Sequence, residues 1–206
     1  MWYSVTPEGI SARHGRIISR AFDFGIILDA FCGIGGDLIF LDGNIFSIAT
    51  DISSDRIDTA RRFHSQLGSN PVDFILSNSL TPCFRPGCFD AVYLSPPWGH
   101  RGITNRKQAP VFGNRRLNQL DLDGFSIFNK FSKFSKNLIF YLPRGMKPSE
   151  LHLLRDTHGG DKWAVDVHLS TDPDDDTVTP EHKWKVRAIT CYFGGKLVDT
   201  IQNLEN

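Results

Sequence analysis

Short apolar stretches alternate with helical patterns along most of this 206-residue sequence. Six stretches that are rich in β-branched and aromatic residues lie between turn-forming residues, which predicts strands, and a seventh is weaker. The six are Ile26 to Phe31, Ile45 to Thr50, Val72 to Leu76, Phe89 to Leu94, Asn137 to Leu142 and Val186 to Phe193, and the weaker one is Trp163 to Leu169. Because strands separated by helices pair in parallel, we expect an α/β fold with a mostly parallel seven-stranded sheet and helices on both faces.

Three helices are predicted around these strands. Thr6 is a good helix cap and Pro7 suits the first helical position, so the first helix should begin there. Ser53 should cap the start of the second helix, and Gly68 lies just beyond its end. The third carries phenylalanines at three-residue spacing, which we interpret as core rather than as a base-binding surface. The helices are expected at about Thr6 to Arg20, Ser53 to Leu67 and Asp123 to Phe134, with the phenylalanines at 125, 128 and 131.

Length and composition predict a single domain over residues 1–206, because 40% apolar residues suffice for a self-supporting core. Residues 1–22 should form a helical segment that packs on the rest of the domain. The strongest apolar run, Ile26 to Phe31, is interrupted by Asp29 and is far shorter than the roughly 20 residues of a membrane span. The first residues lack the pattern of a secretory signal. We therefore expect an intracellular monomer that does not bind a membrane.

The charge balance argues against one class of protein. With 23 basic and 23 acidic side chains, the chain does not have the strongly positive surface of a non-specific nucleic-acid binder. Charge is nevertheless uneven: Arg101 to Arg116, within a predicted long loop, is basic, and Asp172 to Asp176 is an acidic stretch that we interpret as a solvated loop. The four cysteines include no C-x-x-C pair, so no metal site is expected.

A glycine-rich turn follows the first predicted strand and contains Gly33 and Gly35. A doubly wound sheet binds its cofactor at this place, because glycines permit a tight turn whose backbone faces the ligand. Leu38 stands where a dinucleotide-binding motif needs its third glycine. A cofactor with a pyrophosphate is therefore disfavoured.

Polar residues at the ends of three strands favour S-adenosylmethionine as the cofactor. Asp29 ends the first strand, where its carboxylate can pair with the amino group or sulfonium of this ligand; capping the turn is its alternative role. Asp51 ends the second strand, and an acid there can accept both ribose hydroxyls of an adenosine. Asn78 follows the third strand, where it either contacts the adenine amino group or is an ordinary turn residue.

The fourth strand ends in Ser95-Pro96-Pro97-Trp98, at the edge of the sheet where ligands of such folds bind. Proline fixes its φ angle and keeps the preceding residue extended, so the carbonyl groups of Ser95 and Pro96 should project as acceptors. They can bind the amino group of a planar ring and draw its protons out of the plane, which restores the nucleophilicity of a delocalised lone pair. Trp98 offers a face on which a base can stack. A proline-rich strand exit with a packing tryptophan is the alternative.

The four-residue sequence resembles the [Asp/Asn/Ser]-Pro-Pro-aromatic motif of amino-group methyltransferases, and the whole chain resembles the trimethylguanosine synthase family, which hypermethylates RNA caps. The resemblance implies a Rossmann-like class I methyltransferase fold. The matching segments occur in the family's order, and they are Trp2 to Glu8, Asp29 to Gly36, Asp51 and Ile52, Ser95 to Gly99, Asp123 to Phe128, Leu142 to Arg144 and Ile189 to Gly194.

The resemblance also implies an activity: methyl transfer from S-adenosylmethionine to N2 of the 7-methylguanosine cap of RNA. The substrates would be caps of the snRNA and snoRNA type, and the protein would reside in the nucleus, with the cytoplasm as a second location. Catalysis is assigned to Ser95, Pro96 and Trp98, and cap binding to Trp2, Ser95, Trp98, Arg144 and Lys185, although the last two could be surface charges. The cofactor residues are Thr6, Asp29, Phe31, Gly33, Gly35, Asp51 and Asn78.

Two features depart from the family. Family members have further sequence before the Trp2 motif that contributes a basic residue to the cap pocket, so we expect weaker cap binding unless the basic loop from Arg101 to Arg116 replaces it. Asn78 stands where the family usually has aspartate. Two alternatives stay open, namely an N-methyltransferase of an internal RNA or DNA base and a cap-binding protein without catalysis.

Overall fold

The computed structural model describes residues 5–81, 84–98, 123–160, 162–171 and 184–205, and seven strands form one sheet in these residues. The strands are β1 (Gly25–Asp29), β2 (Ile45–Asp51), β3 (Val72–Leu76), β4 (Ala91–Leu94), β5 (Leu138–Pro143), β6 (Trp163–Thr171) and β7 (Trp184–Phe193). Their order across the sheet is β3-β2-β1-β4-β5-β7-β6, and only β7 runs antiparallel to its neighbours. The mostly parallel seven-stranded sheet predicted from the sequence is confirmed, including its weak strand.

Every strand except β3 differs from its predicted range by one or two residues at an end, and the differences in β1 and β4 have clear causes. β1 ends at Asp29 rather than Phe31, because the chain bends over the sheet edge where the Cys32 N–H donates to the Thr50 carbonyl at 2.9 Å. β4 begins at Ala91 rather than Phe89, since the Phe89 N–H donates to a carbonyl outside the sheet. Asp29 is therefore the last residue of its strand, at the edge where the site was expected.

Helices occupy the connections as expected, but two of them were not predicted. Ser53 caps the second helix by accepting from the Arg56 N–H at 3.4 Å, and Gly68 follows its end, as predicted. The third helix is capped by Asp123 and ends at Phe131 rather than Phe134. The fourth and fifth helices are the unpredicted ones. The described helices are α1 (Glu8–Ala21), α2 (Ser54–Leu67), α3 (Gly124–Phe131), α4 (Pro148–His158) and α5 (Gly195–Glu205), and none of these is long and apolar enough to cross a membrane.

The start of α1 corrects the prediction that Thr6 is its cap. The helix begins at Glu8, with Pro7 in the N-cap position and no side-chain capping bond. The Thr6 hydroxyl instead donates to the Asp37 carboxylate at 3.0 Å. A hydrogen bond to an ionised acceptor is stronger than one to a neutral backbone group, which explains why tertiary contact wins over local capping.

Apolar side chains fill both faces of the sheet. Leu28 on one face packs with Phe128 and Phe131 of α3, and all three are at most 1% exposed, which confirms that the phenylalanine stripe is core. Ile27 on the other face belongs to a second cluster with Ile17 of α1. Successive strand residues point to opposite faces, so the two layers follow directly from the sequence of β1.

A buried polar group anchors α1 to the sheet. The two ring nitrogens of His14 lie 3.2 Å from the Tyr93 hydroxyl and 3.0 Å from the Thr190 hydroxyl, which connects the helix to β4 and β7. Arg13 adds an ion pair of 2.6 Å with Asp166 of β6. These contacts hold α1 against the sheet, and Thr6, two residues before the helix, bonds to Asp37.

Candidate active site

The turn after β1 has the conformation that its glycines suggest. Gly33 and Gly35 have φ angles of 55° and 78°, which side chains of L-residues rarely adopt. At Gly35 a β-carbon would also lie 3.3 Å from the β-carbon of Ala60, so this glycine allows α2 to approach the turn. Among the described residues, none beyond Gly33 and its two chain neighbours places an atom within 4 Å of the corresponding position at Gly33. The backbone at Gly33 therefore borders open space that a ligand can use.

Asp29 lies beneath this turn and is 1% exposed. Its carboxylate accepts a hydrogen bond from the Phe31 N–H at 3.2 Å. Burial raises the pKa of Asp29 well above its usual range, and the charges of Asp37 and Asp51 raise it further. A cation is the ligand that would stabilise ionised Asp29 here. The described part of the chain contains no group of three or more metal-ligating side chains placed to hold a metal ion.

Asp51 has more partners in the protein than the sequence indicates. Its two carboxylate oxygens accept from the Gly33 N–H at 3.0 Å, from the Ser53 N–H at 2.9 Å and from Arg56 at 3.2 Å to each oxygen. These bonds join the end of β2 to the glycine turn. A carboxylate has about four acceptor positions, so ribose hydroxyls can bind Asp51 only if Arg56, whose side chain is 37% exposed, moves aside.

Thr6 and Asp37 form a second connection to the glycine turn. The Asp37 carboxylate accepts from the hydroxyls of Thr6 and Ser11, at 3.0 and 2.6 Å. Thr6 is 6% exposed. Because its hydroxyl donates to Asp37, its connection to the predicted cofactor site runs through that carboxylate. Sequence reasoning missed Asp37 and Arg56 as parts of this site. Their positions, directly after Gly36 and in the first turn of α2, are the only sequence features that point to them.

The remaining predicted cofactor residues lie at the same edge. Phe31 is half-buried and packs edge-on against Phe131, with ring centres 5.8 Å apart. Asn78 is exposed, and its side-chain oxygen accepts from the Leu80 N–H at 3.0 Å, which is the arrangement of a turn asparagine. Ile52 and Leu76, at the ends of β2 and β3, are 62% and 57% exposed, and we add them as apolar residues beside the predicted adenosine site.

The residues predicted to bind the methyl acceptor follow β4. Pro96 is buried, whereas Ser95 and Trp98 are partly exposed. The Trp98 indole N–H donates to the Tyr141 carbonyl at 3.0 Å, and its ring centre lies 5.6 Å from that of Phe140. These contacts with β5 fix the orientation of the indole. Trp98 therefore combines the packing role of the alternative interpretation with an accessible surface.

The predicted cap-binding residues are brought together only in part. Arg144 follows the end of β5 and is exposed, and Lys185 lies near the start of β7, so both are at the edge that carries Ser95 and Trp98. Trp2, the basic loop from Arg101 to Arg116 and the acidic stretch at 172–176 lie outside the described residues.

Adjacent strands bring the two parts of the site together. Asp29 pairs with Tyr93 in the parallel register of β1 and β4. Ser95 follows Tyr93 by two residues, so the acceptor motif leaves the sheet beside the glycine turn. Each strand residue advances the chain by about 3.3 Å, so Ser95 lies less than about 7 Å beyond Tyr93, the residue that pairs with Asp29.

Comparison with known proteins identifies the family. A profile of the family described as RNA cap guanine-N2 methyltransferase matches residues 24–196. The chain is 28% identical over 156 residues to trimethylguanosine synthase of Schizosaccharomyces pombe, and the match covers 73% of this chain and 63% of that protein. The chain thus spans less than two thirds of this relative's length.

Solved structures show the same fold at low sequence identity. The tRNA methyltransferase TrmI of Aquifex aeolicus superposes with a TM-score of 0.56 and 14% identity, over 93% of this chain and 70% of that one. Magnesium protoporphyrin IX methyltransferase of Synechocystis, solved with bound SAM, gives a TM-score of 0.54 and 12% identity, over 91% and 78%. The fold is that of class I methyltransferases, and the chain belongs to the RNA cap guanine-N2 methyltransferase family.

Proposed function

We propose that this chain transfers a methyl group from S-adenosylmethionine to N2 of the 7-methylguanosine cap of RNA. The observation that carries the proposal is the register of β1 and β4, which brings buried Asp29 and the Ser95-Pro96-Pro97-Trp98 motif to neighbouring positions at one sheet edge. Family membership supports guanine N2 as the acceptor atom.

The residues around the glycine turn fit the proposed cofactor. Asp29 is a buried carboxylate with a raised pKa, so a cationic ligand would stabilise its ionised form. S-adenosylmethionine carries two such groups, an ammonium and a sulfonium. The open side of Gly33 leaves room for the ligand beside the backbone. Exposed Ile52 and Leu76 offer apolar contact to a flat purine. When bound, S-adenosylmethionine supplies an electrophilic methyl group.

The acceptor motif supplies positioning rather than a strong base: the amine nitrogen would bond to the methyl carbon as the carbon–sulfur bond to S-adenosylhomocysteine breaks, and it would lose a proton to solvent afterwards. The Ser95 and Pro96 carbonyls accept hydrogen bonds from the exocyclic amine and hold its lone pair toward the methyl donor. Trp98 stacks on the base, a contact worth on the order of 1 to 3 kcal/mol. The 7-methylated guanine is cationic, so a cation–π interaction adds to this stacking and favours the methylated base over unmodified guanine.

The basic residues at the sheet edge that carries Trp98 bind the phosphates of the cap. Arg144 and Lys185 contact the cap triphosphate, with Trp2 as a further contact to the cap and Thr6 and Asn78 as contacts to the cofactor. The proposed substrates are capped RNAs of the snRNA and snoRNA type. Nuclear residence, which the family resemblance implies, and the monomeric state stay predictions.

A panel of acceptors tests this function. The protein is incubated with labelled S-adenosylmethionine and 7-methyl-GDP, GDP or an adenine-containing oligonucleotide, and incorporated label is counted. We expect label only with 7-methyl-GDP. Label in the oligonucleotide would favour an internal-base methyltransferase, and binding of 7-methyl-GDP without transfer would favour a cap-binding protein.

A further inference from the structure

Hydrogen bonds from the described residues fill the acceptor positions of the Asp51 carboxylate. One oxygen accepts from the Gly33 N–H at 3.0 Å, and the other accepts from the Ser53 N–H at 2.9 Å. A single nitrogen of Arg56, Nη1, lies 3.2 Å from each oxygen and donates to both. A carboxylate has about four acceptor positions, so a further donor can bind Asp51 only by displacing one of these groups.

The donors to Asp51 differ in how easily they can leave. The Gly33 and Ser53 donors are backbone groups, fixed by the glycine turn and by the cap of α2, where Ser53 accepts from the Arg56 N–H. The Arg56 donor is the end of a long side chain that is 37% exposed. It can turn toward solvent by rotation of its own bonds, without any change of the backbone. Arg56 is therefore the group that can give way.

The positions that Arg56 would vacate match a ribose. Its departure frees one acceptor position on each oxygen of Asp51, and the two neighbouring hydroxyls of a ribose can donate one hydrogen bond to each. Asp51 is only 5% exposed, and a buried carboxylate is costly to leave without partners. Either Arg56 or a pair of hydroxyls meets this need, but the two cannot do so together.

We propose that Arg56 competes with the ribose of the cofactor for Asp51. The proposal rests on the proposed function, because that function supplies the ligand. Hydroxyls that bind Asp51 must break its ion pair with Arg56, so Arg56 weakens the binding of S-adenosylmethionine and of its product S-adenosylhomocysteine, which has the same ribose. A ligand without these hydroxyls leaves the ion pair intact. Arg56 thus reduces the contribution of the ribose hydroxyls to affinity.

Two ligands of equal charge test this competition in calorimetric titrations. S-adenosylhomocysteine has both ribose hydroxyls, and its 2′,3′-dideoxy analogue has neither. The ratio of the dideoxy Kd to the S-adenosylhomocysteine Kd measures what the hydroxyls contribute. Arg56→Ala should increase this ratio by about fivefold over wild type, because the hydroxyls no longer have to break a partly exposed ion pair. The lower Kd for S-adenosylhomocysteine should account for most of the increase.

A charge-matched variant and a conservative variant are the controls. Arg62 is exposed on the same helix, so Arg62→Ala removes the same charge and should leave the ratio of the two Kd values unchanged. Arg56→Lys keeps a cation without the guanidinium and should give a ratio between those of wild type and Arg56→Ala. Without ligand, Arg56→Ala should melt at a lower temperature than Arg62→Ala, because Asp51 has lost a partner.

Each outcome bears on a separate claim. An unchanged ratio in Arg56→Ala, or an equal change of both Kd values, which removal of a charge alone would produce, would overturn the competition. Weaker binding of S-adenosylhomocysteine to Arg56→Ala would show that Arg56 supports the ligand and would also overturn it. Failure of wild type to bind S-adenosylmethionine would contradict the proposed function and this proposal with it. An increased ratio in a protein that does not methylate 7-methyl-GDP would support the competition and reject only the proposed acceptor.

Discussion

The two halves of the candidate site are built differently. In the donor half, which comprises the ends of β1 and β2 and the glycine turn, Asp51 and Asp37 accept hydrogen bonds from the protein itself. In the acceptor half, at the ends of β4 and β5, Arg144 is exposed, and Trp98 is held by Tyr141 and Phe140 but remains partly exposed. We infer that hydrogen bonds within the protein give the donor half its shape, whereas the choice of acceptor depends on a few side chains at the strand ends. Substitutions in the two halves should therefore have separable effects.

Trp98→Ala should have the largest effect. Loss of stacking and of the cation–π contact should lower kcat/KM for 7-methyl-GDP by about a hundredfold or more while the Kd for S-adenosylmethionine stays unchanged. The melting temperature should fall as well, because the indole packs on Phe140 and bonds to Tyr141. Trp98→Phe, which keeps a ring, serves as the control. Full activity of Trp98→Ala would mean that the base stacks elsewhere, with Trp2 the next candidate.

Substitutions of Asp51 should affect both cofactor binding and stability, because its carboxylate joins the end of β2 to the glycine turn. Asp51→Asn should weaken S-adenosylmethionine binding by about tenfold and should also cost stability, because an amide has one acceptor oxygen and cannot accept from both the Gly33 and the Ser53 N–H groups. Asp51→Ala should also reduce the free energy of unfolding by about 1 to 3 kcal/mol, because the Gly33 N–H loses its acceptor. Calorimetric titration and denaturant unfolding measure the two effects, with exposed Asp55→Asn as the control. An unchanged cofactor Kd in Asp51→Asn would reject the ribose contact.

Asp29 should make stability and cofactor binding respond to pH in opposite directions. Its folded-state pKa lies above the unfolded value of about 4, so its contribution to stability is present below that value and is lost as the pH rises through the folded pKa. Asp29→Asn should therefore stabilise the free protein at neutral pH. Affinity for cationic S-adenosylmethionine should rise with pH in wild type, as Asp29 ionises.

Thermal unfolding across a pH series, with and without the cofactor, separates these effects. Asp29→Asn should reduce the pH dependence of both the stability and the cofactor affinity, and it should weaken cofactor binding by about tenfold. S-adenosylhomocysteine, which lacks the sulfonium charge, shows whether the amino group alone supplies the cation. A variant that binds the cofactor as wild type does at every pH would reduce Asp29 to a turn residue.

Asn78→Asp should give the smallest effect. The Asn78 oxygen already accepts from the Leu80 N–H, and an aspartate can keep this bond while offering a stronger acceptor to an adenine amino group. We expect S-adenosylmethionine affinity to increase by only about twofold to fivefold. Equilibrium titration measures the change, and no change at all would favour the simple turn role.

The sequence predicted those features that depend on local pattern and on the geometry of a parallel sheet. Asp29, Gly33 and Asp51 could be placed because the carboxyl ends of parallel strands share one edge. Arg56 and Asp37 could not, since their importance arises from side-chain contacts across separate elements.

The errors have the same origin. Thr6 was expected to cap α1, but the charged acceptor Asp37 binds its hydroxyl more strongly than a helix terminus would. The helix α5 was not predicted because it begins at Gly195, after Phe193 and Gly194, where no Ser, Thr, Asp or Asn signals a helix start, and it is held by burial of Leu197, Val198 and Ile201. Packing, which is not local in sequence, decides both cases.

The identity of the methylated atom tests the central claim most directly. Wild-type protein is incubated with labelled S-adenosylmethionine and 7-methylguanosine-capped RNA, the product is digested, and the labelled nucleoside is identified by chromatography and mass spectrometry. We expect label on N2 of 7-methylguanosine and on no other base. Label on an internal base, or label on the cap at another atom, would contradict it.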